Sequence, residues 1–172
     1  QLESTLAAMF EEGTVTDAVV AQNETQRAEM WSRREAAGQI LFDPGIAVNT
    51  DIAVPLSKVG SVLRTITKRL KAIDPNISEI VVSHLGDGNI HHTTYVSNSA
   101  PAAMQAMVAA VEDVVQELGG SFSAEHGVGI SKLKTMARRK DPVALDTMWA
   151  IKQALDPKGI LNPGKFYPPR NA

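Results

Sequence analysis

The segment His84-Leu85-Gly86-Asp87-Gly88-Asn89-Ile90-His91 sets two histidines at mirror positions about an Asp-Gly turn. With Asp87-Gly88 as the two-residue loop of a type I′ hairpin, Gly86 faces Asn89, Leu85 faces Ile90 and His84 faces His91. Directly opposed residues of an antiparallel pair have Cβ atoms about 4.5–5.5 Å apart on one face, near enough for two imidazoles to share a metal ion. A second segment, Ser121-Phe122-Ser123-Ala124-Glu125-His126-Gly127-Val128-Gly129, runs through small residues to an acid, a histidine and two glycines. Glu125 completes a set with His84 and His91, two imidazoles and a carboxylate, which suits zinc, manganese or iron and leaves coordination positions for a substrate. All four histidines, at 84, 91, 92 and 126, fall in or beside these two segments, a clustering that favours chemistry. Each feature also has an ordinary reading: strand histidines satisfied in a core, Glu125 and His126 as a surface pair, and two glycines that only turn the chain. His92 should point to the opposite face from His91 and is set aside as a ligand.

These residues need a scaffold, and 172 residues are enough for one domain with a real core. A formal charge of −2 predicts no nucleic-acid or anionic-membrane partner. The absence of cysteine excludes disulfides, thiolate ligands and iron–sulfur clusters within the chain, and fits a reducing compartment. No apolar run reaches the roughly 18 residues of a membrane-spanning helix, and no signal peptide is visible.

Apolar spacing predicts a helix over 2–12 closed by Gly13, a strand over Val15–Val20 and a mostly exposed helix over 24–39. A strand over 46–54 follows, and Pro55 then opens a helix over 56–73. Ile77–Val82 and Asn89–Val96 are the hairpin arms. The amphipathic stretch 101–118 carries Met104, Met107, Val108, Val111, Val114 and Val115 on one side, a stripe read as core, and ends at Gly119-Gly120. A short strand near Ser121 comes next, then a helix over 142–155 with Asp141 as N-cap and Met148, Trp149 and Ile151 inward. Asp156–Gly159 is a turn, and Ile160–Pro169 a proline-rich extended tail. This order predicts an α+β fold with a mainly antiparallel sheet and helices packed on one face, for which ferredoxin-like is the nearest familiar layout.

Three motifs in order, His84–His91, Ala124–Lys132 and Leu155–Lys165, closely resemble the C-terminal domain of FAD-linked oxidases of the vanillyl-alcohol oxidase superfamily. The 2-hydroxy-acid dehydrogenases acting on D-lactate, D-2-hydroxyglutarate and glycolate are among these. The resemblance extends upstream through Trp31–Glu35 and Thr50–Ser57. It implies a ferredoxin-like fold and a C-terminal fragment, residues 1–172, of a longer polypeptide whose N-terminal FAD-binding domain lies outside this chain. The full-length protein is then expected to oxidise a small 2-hydroxy acid with FAD and a divalent metal, the isolated fragment being inactive. In that reading His126 is the base that takes the hydroxyl proton, since an imidazole titrates near neutrality.

Arg34 resembles an arginine that meets a substrate carboxylate, although an exposed helix arginine is the ordinary explanation. Asn89 stands beside the turn and either orients the hairpin or a ligand, or simply serves the turn. Asn162 and Lys165 match the tail that returns toward the flavin, and Lys132 could steer an anion. The expected partners are the substrate, the flavin domain and a second copy in a homodimer. The expected location is the cytoplasm, with any membrane contact peripheral and through the full-length protein. Ser83, Thr93 and Asn49 depart from the resemblance; the last two lack groups that in the D-2-hydroxyglutarate branch would help bind a second carboxylate, which points to a different acid such as lactate or glycolate, or to another aldonic or hydroxy acid. The rival reading is a metal- or ligand-binding module without a redox role, or a metal-assisted hydrolase, which needs only an ion and an activated water.

Overall fold

In the computed structural model, which describes residues 1–40, 47–84 and 86–168, the chain divides into two compact units, 1–43 and 44–172. The first unit holds α1 (Leu2–Glu11) and α2 (Glu24–Ile40). Asn23 caps α2 by accepting the Gln26 N–H at 2.9 Å. No residue of α1 is buried. Val15–Val20, expected as a strand, is irregular. Its β-branched residues have the propensity, but no strand pairs with them; Val19 is 75% exposed, and Asp17 takes the Ala18 N–H locally at 2.8 Å.

The second unit contains β1 (Ala47–Ala53), a 3₁₀ turn at Leu56–Lys58, α3 (Val59–Ile73), β2 (Ser78–His84), β3 (Asn89–Tyr95), α4 (Pro101–Glu117), α5 (Leu133–Arg139) and α6 (Pro142–Leu155). The sheet order is β1-β3-β2, with both pairs antiparallel. β1 and β2 therefore run parallel and are joined through α3, with β3 between them, a split βαβ unit. The fourth strand of a ferredoxin-like layout is reduced to one bridge, Ala53 with Ser121, on the outer side of β1. The α+β class, the antiparallel sheet and the helix-covered face all agree with expectation. Ile46, the first residue of the predicted strand, lies outside the described residues, as do Leu85 and the end of the tail at Pro169.

Alternation along β1 and β3 gives the sheet two different faces. Val48, Ile52 and Ile90 join Val62, Ile66 and Leu70 of α3 and Met107, Val111, Val114 and Val115 of α4 in one buried cluster. The methionine stripe is thus core. The same face buries His92, whose Nε2 lies 2.9 Å from Glu79 Oε1, itself bonded by the Thr67 hydroxyl at 3.2 Å. Burial lowers the His92 pKa, and the Glu79 hydrogen bond opposes that only in part. Asp74, buried at the end of α3, accepts from the Ser97 hydroxyl at 2.7 Å and from the backbone N–H groups of Asn76, Ser97 and Asn98, so its pKa is lowered.

Two expectations need correction. The hairpin does not use Asp87-Gly88 as a type I′ pair: the register pairs His84 with Asn89, Ser83 with Ile90 and Val82 with His91. A type I′ turn requires positive φ at both central residues, whereas only Gly88 adopts it, at 76°. The Asp87 and Gly88 N–H groups both bond His84 O, the Asp87 carboxylate accepts from Asn89 N at 3.0 Å, and Val54 N donates to Gly88 O at 3.1 Å. Ile151, expected inward, is 54% exposed, and no residue of α6 is fully buried. The Asp141 cap is as expected, accepting the Ala144 N–H at 2.9 Å. α5 had no counterpart in the sequence reading.

A Cβ at Gly88 would lie 2.0 Å from the Val54 carbonyl oxygen in a left-handed backbone conformation. Gly88→Ala is expected to cost more than about 1 kcal/mol in urea unfolding; a midpoint unchanged from wild type would refute this account of the turn. Stability should also fall on acidification in two stages. His92 is held neutral in the fold, so below about pH 6.5 the unfolded chain takes up a proton that the folded chain refuses. Asp74, with its lowered pKa, adds stability that is present above the ordinary carboxylate range and lost as pH falls through its folded pKa. Urea titrations from pH 8 to 3 should show both stages, His92→Gln removing the first and Asp74→Asn flattening the second.

Candidate metal centre

The sheet face turned away from the helices carries Asp51 and His91 as a direct cross-strand pair of β1 and β3. Beside them the chain leaves α4 through Gly120, where a Cβ would meet Ala53 O at 2.4 Å. It bonds β1 through Ser121 N to Ala53 O at 2.7 Å and Ala53 N to Ser121 O at 3.0 Å. The next turn brings three consecutive backbone N–H groups, of Ala124, Glu125 and His126, each 3.2 Å from Asp51 Oδ2. Lys132 reaches the same oxygen at 3.5 Å and donates to Ser123 Oγ at 2.7 Å, while Ser123 Oγ donates to Gly127 O at 2.6 Å. Asp51 is 5% exposed. Burial alone would raise its pKa, but the His126 and Glu125 N–H groups and the charges of Lys132 and His126 together hold it below the ordinary carboxylate value.

This turn delivers Glu125 and His126 to His91. His91 Nε2 lies 3.0 Å from Glu125 Oε1, and His91 Nδ1 lies 3.6 Å from Asp51 Oδ1. The His126 ring stacks on that of His91, with centroids 5.5 Å apart and planes at 22°. His126 Nδ1 is 3.6 Å from Asp51 Oδ2, and its Nε2 is 3.7 Å from Glu125 Oε1. One ligand atom from each of Asp51, His91, Glu125 and His126 lies within 4.8 Å of the others, donors of the kinds that divalent ions take. His84 stands outside this group. Its ring is nonetheless 5.6 Å from that of His91, edge to face. The register explains this: His84 opposes Asn89 rather than His91, so the two histidines are diagonal neighbours, and a displacement by two residues keeps both on one face.

Asp51 is the residue that sequence reasoning missed. It entered only as part of a strand motif, although an acid set between Thr50 and Ile52 in a β-prone run is itself a signal. Asn89 serves the turn through its backbone, donating to Asp87 and accepting the Ser83 hydroxyl at 2.9 Å. Its side-chain oxygen is buried without a hydrogen-bond partner, on the same face as His91. His92 points to the helix-covered face, as expected. Asn162 and Lys165 lie in the C-terminal turn, where Lys165 N bonds Asn162 O at 3.2 Å. Asn162, Trp149, Lys152, Phe166 and Tyr167 line a cavity of about 410 Å³ there. Arg34 belongs to α2 of the first unit, where it lines a cavity of about 280 Å³ with Ala21, Arg27, Met30 and Trp31. Among the described residues no helix is long and apolar enough to cross a membrane.

Residues 1–166 match the family described as FAD linked oxidases, C-terminal domain. The chain is 33% identical over 172 residues to the mitochondrial D-2-hydroxyglutarate dehydrogenase of Arabidopsis thaliana, covering 98% of this chain and 30% of that protein. It is 33% identical over 175 residues to the rat protein of the same name, covering 99% of this chain and 31% of the relative. To the D-2-hydroxyglutarate dehydrogenase of Stutzerimonas stutzeri it is 32% identical over 176 residues, covering 97% of this chain and 37% of the relative. The chain thus spans about a third of the length of these curated relatives.

Proposed function

Since the chain belongs to the family of FAD-linked oxidase C-terminal domains, we propose that it is the substrate- and metal-holding domain of a flavin-dependent dehydrogenase that oxidises a 2-hydroxy acid to the 2-oxo acid. The FAD-binding domain is N-terminal to it in the same polypeptide, and a homodimer in the cytoplasm is part of the proposal. The observation that carries it is the convergence of His91, Glu125 and His126, with His84 alongside, on the sheet face opposite α3 and α4. In this reading His84, His91 and Glu125 hold the ion. The donor set fits: two imidazoles bound to one ion at about 2.0–2.1 Å have ring centres roughly 5 Å apart, close to the 5.6 Å separating His84 and His91. The ionised Asp51 behind them adds the negative charge that a cation favours.

When bound, the ion supplies Lewis acidity toward the substrate hydroxyl and a template for its carboxylate, and FAD supplies the two-electron acceptor for the α-hydrogen. The remaining work falls to the chain. His126, with 63% of its side chain exposed beside Glu125, takes the hydroxyl proton on Nε2. The Asn89 side-chain oxygen, buried and unpartnered, orients the bound acid from the neighbouring position of the same strand. Arg34 is proposed to bind a carboxylate as a fork, and Asn162 and Lys165 to meet the flavin. Asn49 and Thr93, cross-strand partners two residues from Asp51 and His91, bear on which 2-hydroxy acid is taken. Their neutral side chains are the ground for expecting lactate or glycolate.

The test has two parts. The purified chain should retain near-stoichiometric zinc, manganese or iron by elemental mass spectrometry after dialysis, and His84→Ala/His91→Ala should lose it. In the flavin-loaded full-length protein, His126→Ala should lower kcat by about 10²-fold or more with the metal retained. Turnover within tenfold of wild type would remove His126 from the chemistry. Hydrolytic activity of the metal-loaded chain without flavin would favour the rival reading.

A further inference from the structure

We propose that Asp51 is a positioning residue for the metal centre: one carboxylate oxygen assembles the Glu125–His126 turn and the other backs His91 Nδ1, so that the ring presents Nε2 to the ion. The proposal rests on the metal reading above and extends it to a residue outside the three ligands.

The two oxygens have different surroundings. Oδ2 takes the N–H groups of Ala124, Glu125 and His126 and faces Lys132, so it is committed to the protein. Oδ1 is buried and has no hydrogen-bond partner. A buried carboxylate oxygen left unpaired is costly and calls for an explanation. The group that faces it is His91 Nδ1, directly across the β1–β3 ladder at 3.6 Å. That is longer than a hydrogen bond. Nε2, on the other side of the ring, lies 3.0 Å from Glu125 Oε1, a contact that draws the ring proton to Nε2 until an ion takes its place; with an ion on Nε2 the proton is on Nδ1, facing Asp51 Oδ1. Carboxylate, histidine and ion in line is the arrangement by which a supporting acid fixes ring orientation and raises ligand basicity. Asp51 acts through His91 in this proposal: Oδ2 is taken by the turn, and Oδ1 faces Nδ1 rather than the Nε2 that meets Glu125.

Asp51→Asn should keep an oxygen for the turn but place an amide NH₂ toward Nδ1, where it opposes the Nδ1–H that the ion-bound ring must carry. Three readouts on the folded chain decide the matter. Long-range ¹⁵N–¹H spectra of the zinc-loaded wild type should show His91 bound through Nε2 and protonated at Nδ1, and Asp51→Asn should lose that signature at the zinc concentration that saturates wild type. Zinc affinity, measured by competition with a chromophoric chelator, should fall about 10- to 100-fold in Asp51→Asn. In Asp51→Ala, the amides of Glu125 and His126 should lose their protection from hydrogen exchange while those of α3 and α4 keep theirs; Ala124 N retains the Asp51 backbone oxygen at 3.2 Å. Glu125→Gln is the control: it should weaken zinc binding and leave amide protection unchanged. A zinc-loaded wild-type His91 bound through Nδ1, or zinc affinity in Asp51→Asn within twofold of wild type, overturns the proposal. Absence of zinc binding in wild type would instead sink the metal reading, and the exchange data would still decide the role of Asp51 in the turn.

Discussion

The arrangement of the site depends on one buried carboxylate accepting three consecutive backbone N–H groups. Without Asp51 Oδ2, the Glu125 and His126 N–H groups would reach the edge of β1 with no acceptor, and Ala124 N would keep only the Asp51 backbone oxygen at 3.2 Å. With it, the chain is drawn against the strand and its next two side chains are delivered to His91. A ring of backbone donors of this kind favours an anion strongly, which is why burial does not protonate Asp51. Lys132 closes the other side through Ser123, so one charge ties β1 to the whole connection between α4 and α5. The functional residues come from three separated places in sequence, and this is the contact that makes them neighbours.

The sheet works as a partition. Adjacent residues of β3 point opposite ways, so His91 and His92 have opposite duties although they are chemically identical. His92 is sealed between sheet and helices and kept neutral by burial, with Glu79 and Thr94 satisfying its nitrogens. His91 is on the face opposite α3 and α4, with two carboxylates on either side of its ring. The apolar stripes of α3 and α4 serve this division, because both helices pack on the other face and leave His91 to the ligand groups. Gly120 and Gly88 belong to the same design: each allows a backbone to lie against the end of β1, where any side chain would collide.

What could be read from the sequence follows from the range of the interactions involved. Helices α3, α4 and α6 announce themselves by spacing, proline and cap, all of which are local, and their bounds agree with expectation to within a residue or a short 3₁₀ turn. The strand expected at Val15–Val20 shows the limit of that information: propensity is local but pairing is not. The fourth strand fails for a related reason, since Ser121 makes one bridge and Asp51 then captures the chain for another purpose. α5 is short and polar, held by Thr135 against the buried Glu112 at 2.5 Å, a contact between residues far apart in sequence.

The hairpin is the instructive case, because a wrong turn type still led to the right residues. The mirror symmetry of His84 and His91 about Asp87-Gly88 assigned them a directly opposed pairing that the structure does not have. Only Gly88 takes positive φ, so the turn lengthens and the register moves by two. An error of one residue would have sent His84 to the helix-covered face; an error of two leaves it beside His91, as a diagonal neighbour. Side-chain parity along a strand is therefore sturdier evidence for a site than the identity of the turn. Parity alone could not supply Asp51, which lies on a strand distant in sequence. It becomes part of the site only once β1 is paired with β3 and the turn at 124–126 has found its acceptor.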